Sequence, residues 1–380
     1  MKKVLYVATV ASHIAQFHKP YMKLFQEKGY EVHVAARDNL AEKNGLQLEY
    51  VDNFIEMPFQ RSPKSLDNIK AYKQLKALLK KEYYDAIVCN TPMGGILTRM
   101  AAKKSRKKGT KVVYIAHGFH FYKGAPKKNW WIYYPIEKHF AKKCDLLITI
   151  NQEDYELAHK KFNTKVSYVH GLGVDENRYA LNAPDIREEK RRGLGLNDEH
   201  FVVLVVGELL PNKNQIQAIR AVEETLKTHK NIRLWIAGNG KNRDVLEAYV
   251  NERSLQEYVK FLGYCTNLQE YQWAADVGVS CSIREGLGLN VIEAMVAGNT
   301  FIATRNRGHN QLIVDGENGF LVEVGDVDTL AKRLKELMDD KELKMRLQEN
   351  AKEKIKPYTL SYTLKEMEEI YEELLGWKKD

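Results

Sequence analysis

Two glutamates eight positions apart stand in the run Ser282-Ile283-Arg284-Glu285-Gly286-Leu287-Gly288-Leu289-Asn290-Val291-Ile292-Glu293-Ala294-Met295. An apolar run with strand character (277–281) leads into them, and an apolar-periodic stretch (291–297) carries the second on a predicted helix. The order is strand, glycine-rich turn, helix N-terminus. Such a turn presents unpaired backbone N–H groups beside the positive end of a helix dipole, a natural seat for phosphate. Glu285 falls on the loop and Glu293 about one turn into the helix, on either side of that seat. A carboxylate beside a phosphate is repelled by it and so needs a separate task, which accepting hydrogen bonds from sugar hydroxyls supplies. The constellation suits a nucleotide sugar, with one acid for the ribose, one for the transferred hexose, and amides for the diphosphate between them.

Positioning these groups requires a parallel sheet, and the chain is patterned for two. Short apolar runs at 4–10, 32–36, 86–89, 112–116, 146–150 and 166–169 read as buried strands, with helical patterns between them, for instance at 69–80, 96–107 and 130–142. A second series follows at 202–206, 232–237, 259–262, 277–281 and 301–303. Alternation of this kind predicts α/β architecture with two doubly wound domains. The boundary is expected in His170-Gly171-Leu172-Gly173-Val174-Asp175, which breaks both periodicities, giving domains 1–170 and 171–357. Residues 358–380 include Leu364, Met367, Ile370, Tyr371, Leu374 and Leu375 at helical spacing, one apolar face of a terminal helix.

Composition narrows the function classes. The 380 residues exceed one ordinary core, and 44% hydrophobic with 29% charged residues are globular values. No apolar run reaches the length of a membrane span, and the apolar start at 4–11 reads as a first strand rather than a signal peptide. Cys89, Cys144, Cys265 and Cys281 lie far apart without a C-x-x-C pair, which predicts free thiols and a cytoplasmic protein. Net charge is +9, and the stretch 101–143 holds twelve Lys or Arg against one acid, Glu137. No nucleic-acid-reading signature accompanies it, so no nucleic-acid partner is expected. Trp130, Trp131, Tyr133, Tyr134 and Phe140 sit in the same stretch. Two readings stay open: a helix contacting the anionic inner face of a membrane, or core rings with lysines solvating the outside.

The E-x7-E pattern, with Ser282, Arg284, Gly286, Leu287, Ala294 and Met295 around it, resembles that of the family-4 retaining glycosyltransferases. The resemblance implies the GT-B fold: two Rossmann-like domains facing each other across a cleft, an N-terminal domain for the acceptor, a C-terminal one for the donor, and a C-terminal helix crossing back. It assigns Glu285 to the transferred sugar, Glu293 to the ribose, and the amides of Gly288, Leu289 and Asn290 to the diphosphate, with Gly286 and Leu287 also at the donor. Lys213, in Gly207-Glu208-Leu209-Leu210-Pro211-Asn212-Lys213, matches the lysine of the family's G-R-L-x-x-x-K stretch, where both cations hold phosphate. Glu208 stands where that stretch has Arg, a charge reversal. Gly238 and Tyr264 match the family's A-G-x-G and F-x-G-x base-side loops. His117, directly after the strand at 112–116, matches an imidazole that reaches the donor sugar.

Ser12, His13, Gly94 and His120 are expected at the acceptor, with Gly94 read first as a turn glycine. Asp326-Val327-Asp328 is formally a metal-binding D-x-D but reads as a helix cap, and the resemblance implies no metal or other cofactor. The implied partners are a nucleotide-diphosphate sugar, of UDP type, and a saccharide or polyprenyl-diphosphate-linked acceptor of surface-polysaccharide synthesis. The rivals are a UDP-sugar 2-epimerase of the same architecture and a catalytically idle nucleotide-sugar-binding subunit.

Overall fold

A computed structural model describes residues 1–43, 45–180 and 184–377. It divides into two compact units, Met1–Leu172 joined by the C-terminal residues from Tyr362, and Gly173–Ser361.

The first unit holds β1 (Lys2–Val10), β2 (Tyr30–Arg37), β3 (Asn53–Glu56), β4 (Ala86–Asn90), β5 (Lys111–Ala116), β6 (Leu146–Thr149) and β7 (Lys165–Tyr168). They form one sheet in the order β3-β2-β1-β4-β5-β6-β7, and every recorded pairing within it is parallel. The second unit holds β8 (Phe201–Val206), β9 (Ile232–Ala237), β10 (Val259–Gly263), β11 (Val277–Ser280), β12 (Thr300–Thr304) and β13 (Phe320–Val322), ordered β10-β9-β8-β11-β12-β13 and again parallel. Central strands such as Ala86–Asn90 and Thr300–Thr304 are buried throughout, because helices cover both faces of a parallel sheet. Strand order reverses beside the first strand of each unit, between β1 and β4 and between β8 and β11. Open α/β sheets bind ligands at such points, outside the carboxyl ends of the strands.

Chain crossover between the units is local. Gly171 (φ +79°) and Gly173 (φ +74°) take left-handed conformations on either side of Leu172. Leu172 packs into the first core, while Val174 and Tyr179 pack into the second. The terminal helix Leu360–Leu375 returns to the first unit. Met367 and Tyr371 are core residues there. The Tyr21 hydroxyl meets Thr363 Oγ1 at 3.2 Å, Glu366 Oε1 lies 2.7 Å from His170 Nδ1, and Trp377 Nε1 donates to Tyr30 Oη at 3.1 Å. Residues 378–380 of the expected terminal helix lie outside the described residues.

The helix Ala11–Phe17 starts directly after β1. Two local expectations are corrected. Gly94 and Gly95 lie inside the helix Pro92–Ala101 rather than in a turn. Their need for hydrogen is one of packing: a Cβ on Gly94 would sit 3.1 Å from the Ala8 backbone, and one on Gly95 2.5 Å from the Tyr114 ring. The helical pattern at 96–107 breaks at Ala102 into Pro92–Ala101 and Lys103–Arg106.

The helix Lys127–Ala141 has one face packed inward and one exposed. Trp130 and Tyr134 pack on the first unit's core. Glu137 is buried, paired with the buried Arg99 at 3.0 Å. The opposite face exposes Trp131 (82%), Ile132, Tyr133 and Ile136 among exposed lysines. Among the described residues, no helix is long and apolar enough to cross a membrane. The four cysteines are free, and Asp326 caps its helix by accepting from the Thr329 amide at 2.9 Å.

Candidate active site

In the second unit the loops after β8 and β11 meet at the point of strand-order reversal. Asn212, after β8, accepts from the Ile283 amide at 2.8 Å and donates through Nδ2 to the Arg284 carbonyl at 3.0 Å. This zipper brings Lys213 to Glu285, Nζ to Oε1 at 2.5 Å, with both side chains largely shielded. The resemblance assigns them different parts of the donor, yet here they neutralise each other. An ammonium has three donors, so Lys213 can keep Glu285 and still offer N–H to an anion.

The turn after Glu285 is shaped by glycine. Gly288 caps the helix Leu289–Val296 at φ +106°, a conformation that penalises any side chain. Gly308 lies so close beneath that a Cβ would be 2.7 Å from the Leu287 carbonyl oxygen and 2.9 Å from Glu285 Cβ. Asn290 Nδ2 donates to the Val206 carbonyl at 3.3 Å, tying the helix start to the end of β8. The amides of Leu289 and Asn290, at the first turn of that helix, have no acceptor within it. Leu287 is buried in the core under the loop, where its side chain anchors the turn.

Glu293 lies on the same helix, one turn in, and its environment is unlike that of Glu285. Burial pushes its carboxyl up to about 7, partly opposed by a hydrogen bond from Tyr179 and the charge of Arg178. The same burial raises the Tyr179 hydroxyl. Tyr179 is a residue whose role in the site the sequence did not expose. It stands 114 positions before Glu293 (293 − 179) and gives no local signal of that contact. His309 is another. It is fully buried on the helix Arg307–Leu312, with Nδ1 against the Thr304 carbonyl at 2.7 Å and Nε2 without a hydrogen-bond partner. Desolvation lowers its pKa, with Glu285 opposing and Lys213 adding to the shift.

The loops after β8, β9 and β10 are packed backbone to backbone. A Cβ on Gly238 would fall 2.1 Å from the Gly207 carbonyl oxygen, and one on Gly240 2.4 Å from that of Leu209. The Gly238 amide donates to Gly263 at 2.6 Å. Tyr264 follows, half-exposed, and Glu208 is exposed.

In the first unit the residues at the strand ends are imidazoles. His13 from the helix after β1 and His117 after β5 meet Nε2 to Nε2 at 3.1 Å. Asn90, the last residue of β4, places Oδ1 3.3 Å from His117 Nε2. Ser12 is engaged elsewhere: its hydroxyl accepts from Asn39 Nδ2 at 2.9 Å. His120 packs on Tyr133 with ring centroids 4.8 Å apart.

A family profile described as Glycosyl transferases group 1 matches residues 186–354, and one described as Glycosyl transferase 4-like matches residues 3–151. EpsD of Bacillus subtilis (strain 168), named as a glycosyltransferase, is 40% identical over 97% of this chain and 96% of its own. The chain belongs to the glycosyltransferases. An Escherichia coli enzyme named UDP-Gal:alpha-D-GlcNAc-diphosphoundecaprenol alpha-1,3-galactosyltransferase is 29% identical over 83% of each chain. Among solved structures, Anabaena HepE in complex with UDP superposes with a TM-score of 0.78 at 20% identity, covering 98% of this chain and all of that one. That likeness establishes this glycosyltransferase as a GT-B fold.

Proposed function

We propose that this glycosyltransferase moves a hexose or N-acetylhexosamine from a UDP-sugar, with retention, to a polyprenyl-diphosphate-linked saccharide in surface-polysaccharide synthesis. The observation that carries the proposal is Lys213 beside Glu285, next to the N-terminal turn of the helix Leu289–Val296, at the strand-order reversal of the second unit. Lys213 and the Gly288–Asn290 backbone hold the diphosphate. Glu285, oriented by Lys213, accepts hydroxyls of the transferred sugar. Glu293 with Tyr179 takes the ribose. As the glycosyl bond lengthens, negative charge grows on the departing phosphate, where prearranged donors lower the barrier. These groups do the work of a divalent ion, and transfer proceeds with magnesium and manganese withheld.

The relatives support the donor and acceptor classes. HepE has been crystallised with UDP and with UDP-glucose, and the Escherichia coli relative is named for a lipid diphosphate acceptor. The exposed face of Lys127–Ala141, with Trp131 among lysines, fits contact with the anionic cytoplasmic face of a membrane, where such an acceptor resides.

Incubation with a panel of UDP-sugars, with and without a lipid-diphosphate saccharide, tests the reading. UDP release that requires the acceptor is expected. Conversion of the UDP-sugar without acceptor would make the chain an epimerase. Binding of UDP with no turnover for any donor would make it an idle subunit, a reading to which the acid Glu208 at an expected cation position gives some weight.

A further inference from the structure

The imidazole cluster of the first unit extends beyond His13 and His117. His18, at the junction of the helices Ala11–Phe17 and Lys19–Glu27, is fully buried against both. Its ring centroid lies 5.7 Å from that of His13 and 5.5 Å from that of His117. One nitrogen from each of the three rings falls within 4.8 Å of the others. Among the described residues, both His18 nitrogens lack a hydrogen-bond partner, as does Asn90 Nδ2 beside them. Leaving such a group unsatisfied in the interior is destabilising.

We propose that His13, His18 and His117 form a binding site for a first-row transition metal of the zinc type, with a fourth position left for an anionic oxygen.

Neutral imidazoles are the ligands such ions take. Zinc bound tetrahedrally at about 2.0–2.1 Å holds nitrogens roughly 3.3–3.4 Å apart. The His13–His117 separation of 3.1 Å is already near this value. His18 closes the remainder by a ring rotation, which would relieve one of its orphaned nitrogens. Two Nε2 atoms facing each other at hydrogen-bond distance need either a shared proton or a cation between them. No carboxylate is among the three ligands, and the charge of Arg61 is felt at His13. That field disfavours a bare dication and favours one carrying an anionic fourth ligand, such as a phosphate oxygen or hydroxide. Three histidines with one open position are a zinc arrangement that keeps room for a ligand. The site lies within the first unit, and its metal affinity does not depend on the donor assignments above.

The test uses the full chain, stripped with a chelator and titrated with Zn²⁺ by calorimetry and with Co²⁺ by visible absorption. One equivalent of Zn²⁺ should bind at micromolar affinity or tighter, and Co²⁺ should give bands of tetrahedral intensity that shift on adding inorganic diphosphate. His117→Ala and His13→Ala, at positions that are only part-buried, should each weaken binding at least tenfold while the thermal melt of the metal-free protein is kept. His139→Ala, on an exposed helix face, controls for surface chelation and should leave binding unchanged. Absence of stoichiometric binding, or binding insensitive to His13→Ala and His117→Ala, would overturn the site. A Co²⁺ spectrum indifferent to diphosphate would overturn the open fourth position.

Discussion

Both units place side chains beyond the carboxyl ends of parallel strands at the same topological point, yet they fill it with opposite chemistry. In the second unit the loops after β8 and β11 carry a lysine–glutamate pair, a helix N-terminus and closely packed glycine backbone. In the first, three imidazoles, His13, His18 and His117, gather beyond the ends of β1 and β5, with the side-chain amide of Asn90 from the end of β4 beside them and Phe17 packed on His13 at 5.1 Å. A diphosphate carries fixed negative charge and needs amides and a cation held in advance. Rings without charge are suited to hydroxyls, or to a metal that brings its own charge. The shared sheet therefore decides where ligands sit, and the loops decide which charge they carry.

Removing the cation gives the largest expected effect and the sharpest break between the units. Lys213→Ala should lower turnover on the order of 10²–10³-fold, the usual loss of one donor to developing charge. It also leaves Glu285 without its partner, so Lys213→Ala with Glu285→Gln should recover part of the fold stability but not the turnover. A loss below about threefold in steady-state assays with saturating donor would remove Lys213 from the leaving group.

The two acids differ as the two units do, and Glu293 supplies the second prediction. Its carboxyl is raised to about 7, above the ordinary value of 4.5. Ribose hydroxyls donate to a carboxylate, so the donor prefers the ionised form and its affinity should rise with pH. If only that form binds, UDP affinity increases about tenfold from pH 6 to pH 8. The sign is that of a raised acid: ionisation is incomplete at pH 6 and nearly complete at pH 8. Glu293→Gln should flatten the profile, and calorimetry at several pH values measures it. A slope that survives the substitution would move the titration elsewhere.

Much of this site was legible in the sequence because its main parts are local. Residues 277–281 are an unbroken buried run containing β11, and the glycines and both glutamates follow within sixteen positions of its start. Local pattern also found both strand series and the cap at Asp326. It could not give contacts made across the fold. The Lys213–Glu285 pair spans 72 positions, and the Glu293 carboxyl is raised by a burial that only the fold creates, opposed by a hydrogen bond from the distant Tyr179. The strands missed were β3 and β13, both sheet edges. Asn53–Glu56 has exposed ends that erase the apolar run, and Phe320–Val322 has only three residues. His18 left no mark either, because an isolated histidine gains meaning only when the sheet brings two others beside it.

The smallest expected effect concerns the outer face of Lys127–Ala141, a feature of the first unit alone. Trp131 is exposed over 82% of its surface while the neighbouring Trp130 is packed inward. An exposed indole costs nothing to remove from the fold, so a change in membrane affinity would report contact rather than stability. Lys127→Ala should weaken binding to anionic vesicles about fivefold at low salt, since each basic residue near such a surface contributes about 1 kcal/mol. The difference should vanish as salt shortens the screening length. Trp131→Ala should give a loss of similar size that persists at high salt, because ring burial at the interface is not electrostatic. Sedimentation with phosphatidylglycerol vesicles at two ionic strengths separates these terms, with UDP affinity unchanged in both variants. Equal salt dependence for the two would mean that the tryptophan does not enter the interface and that the lysines alone hold the first unit at the membrane.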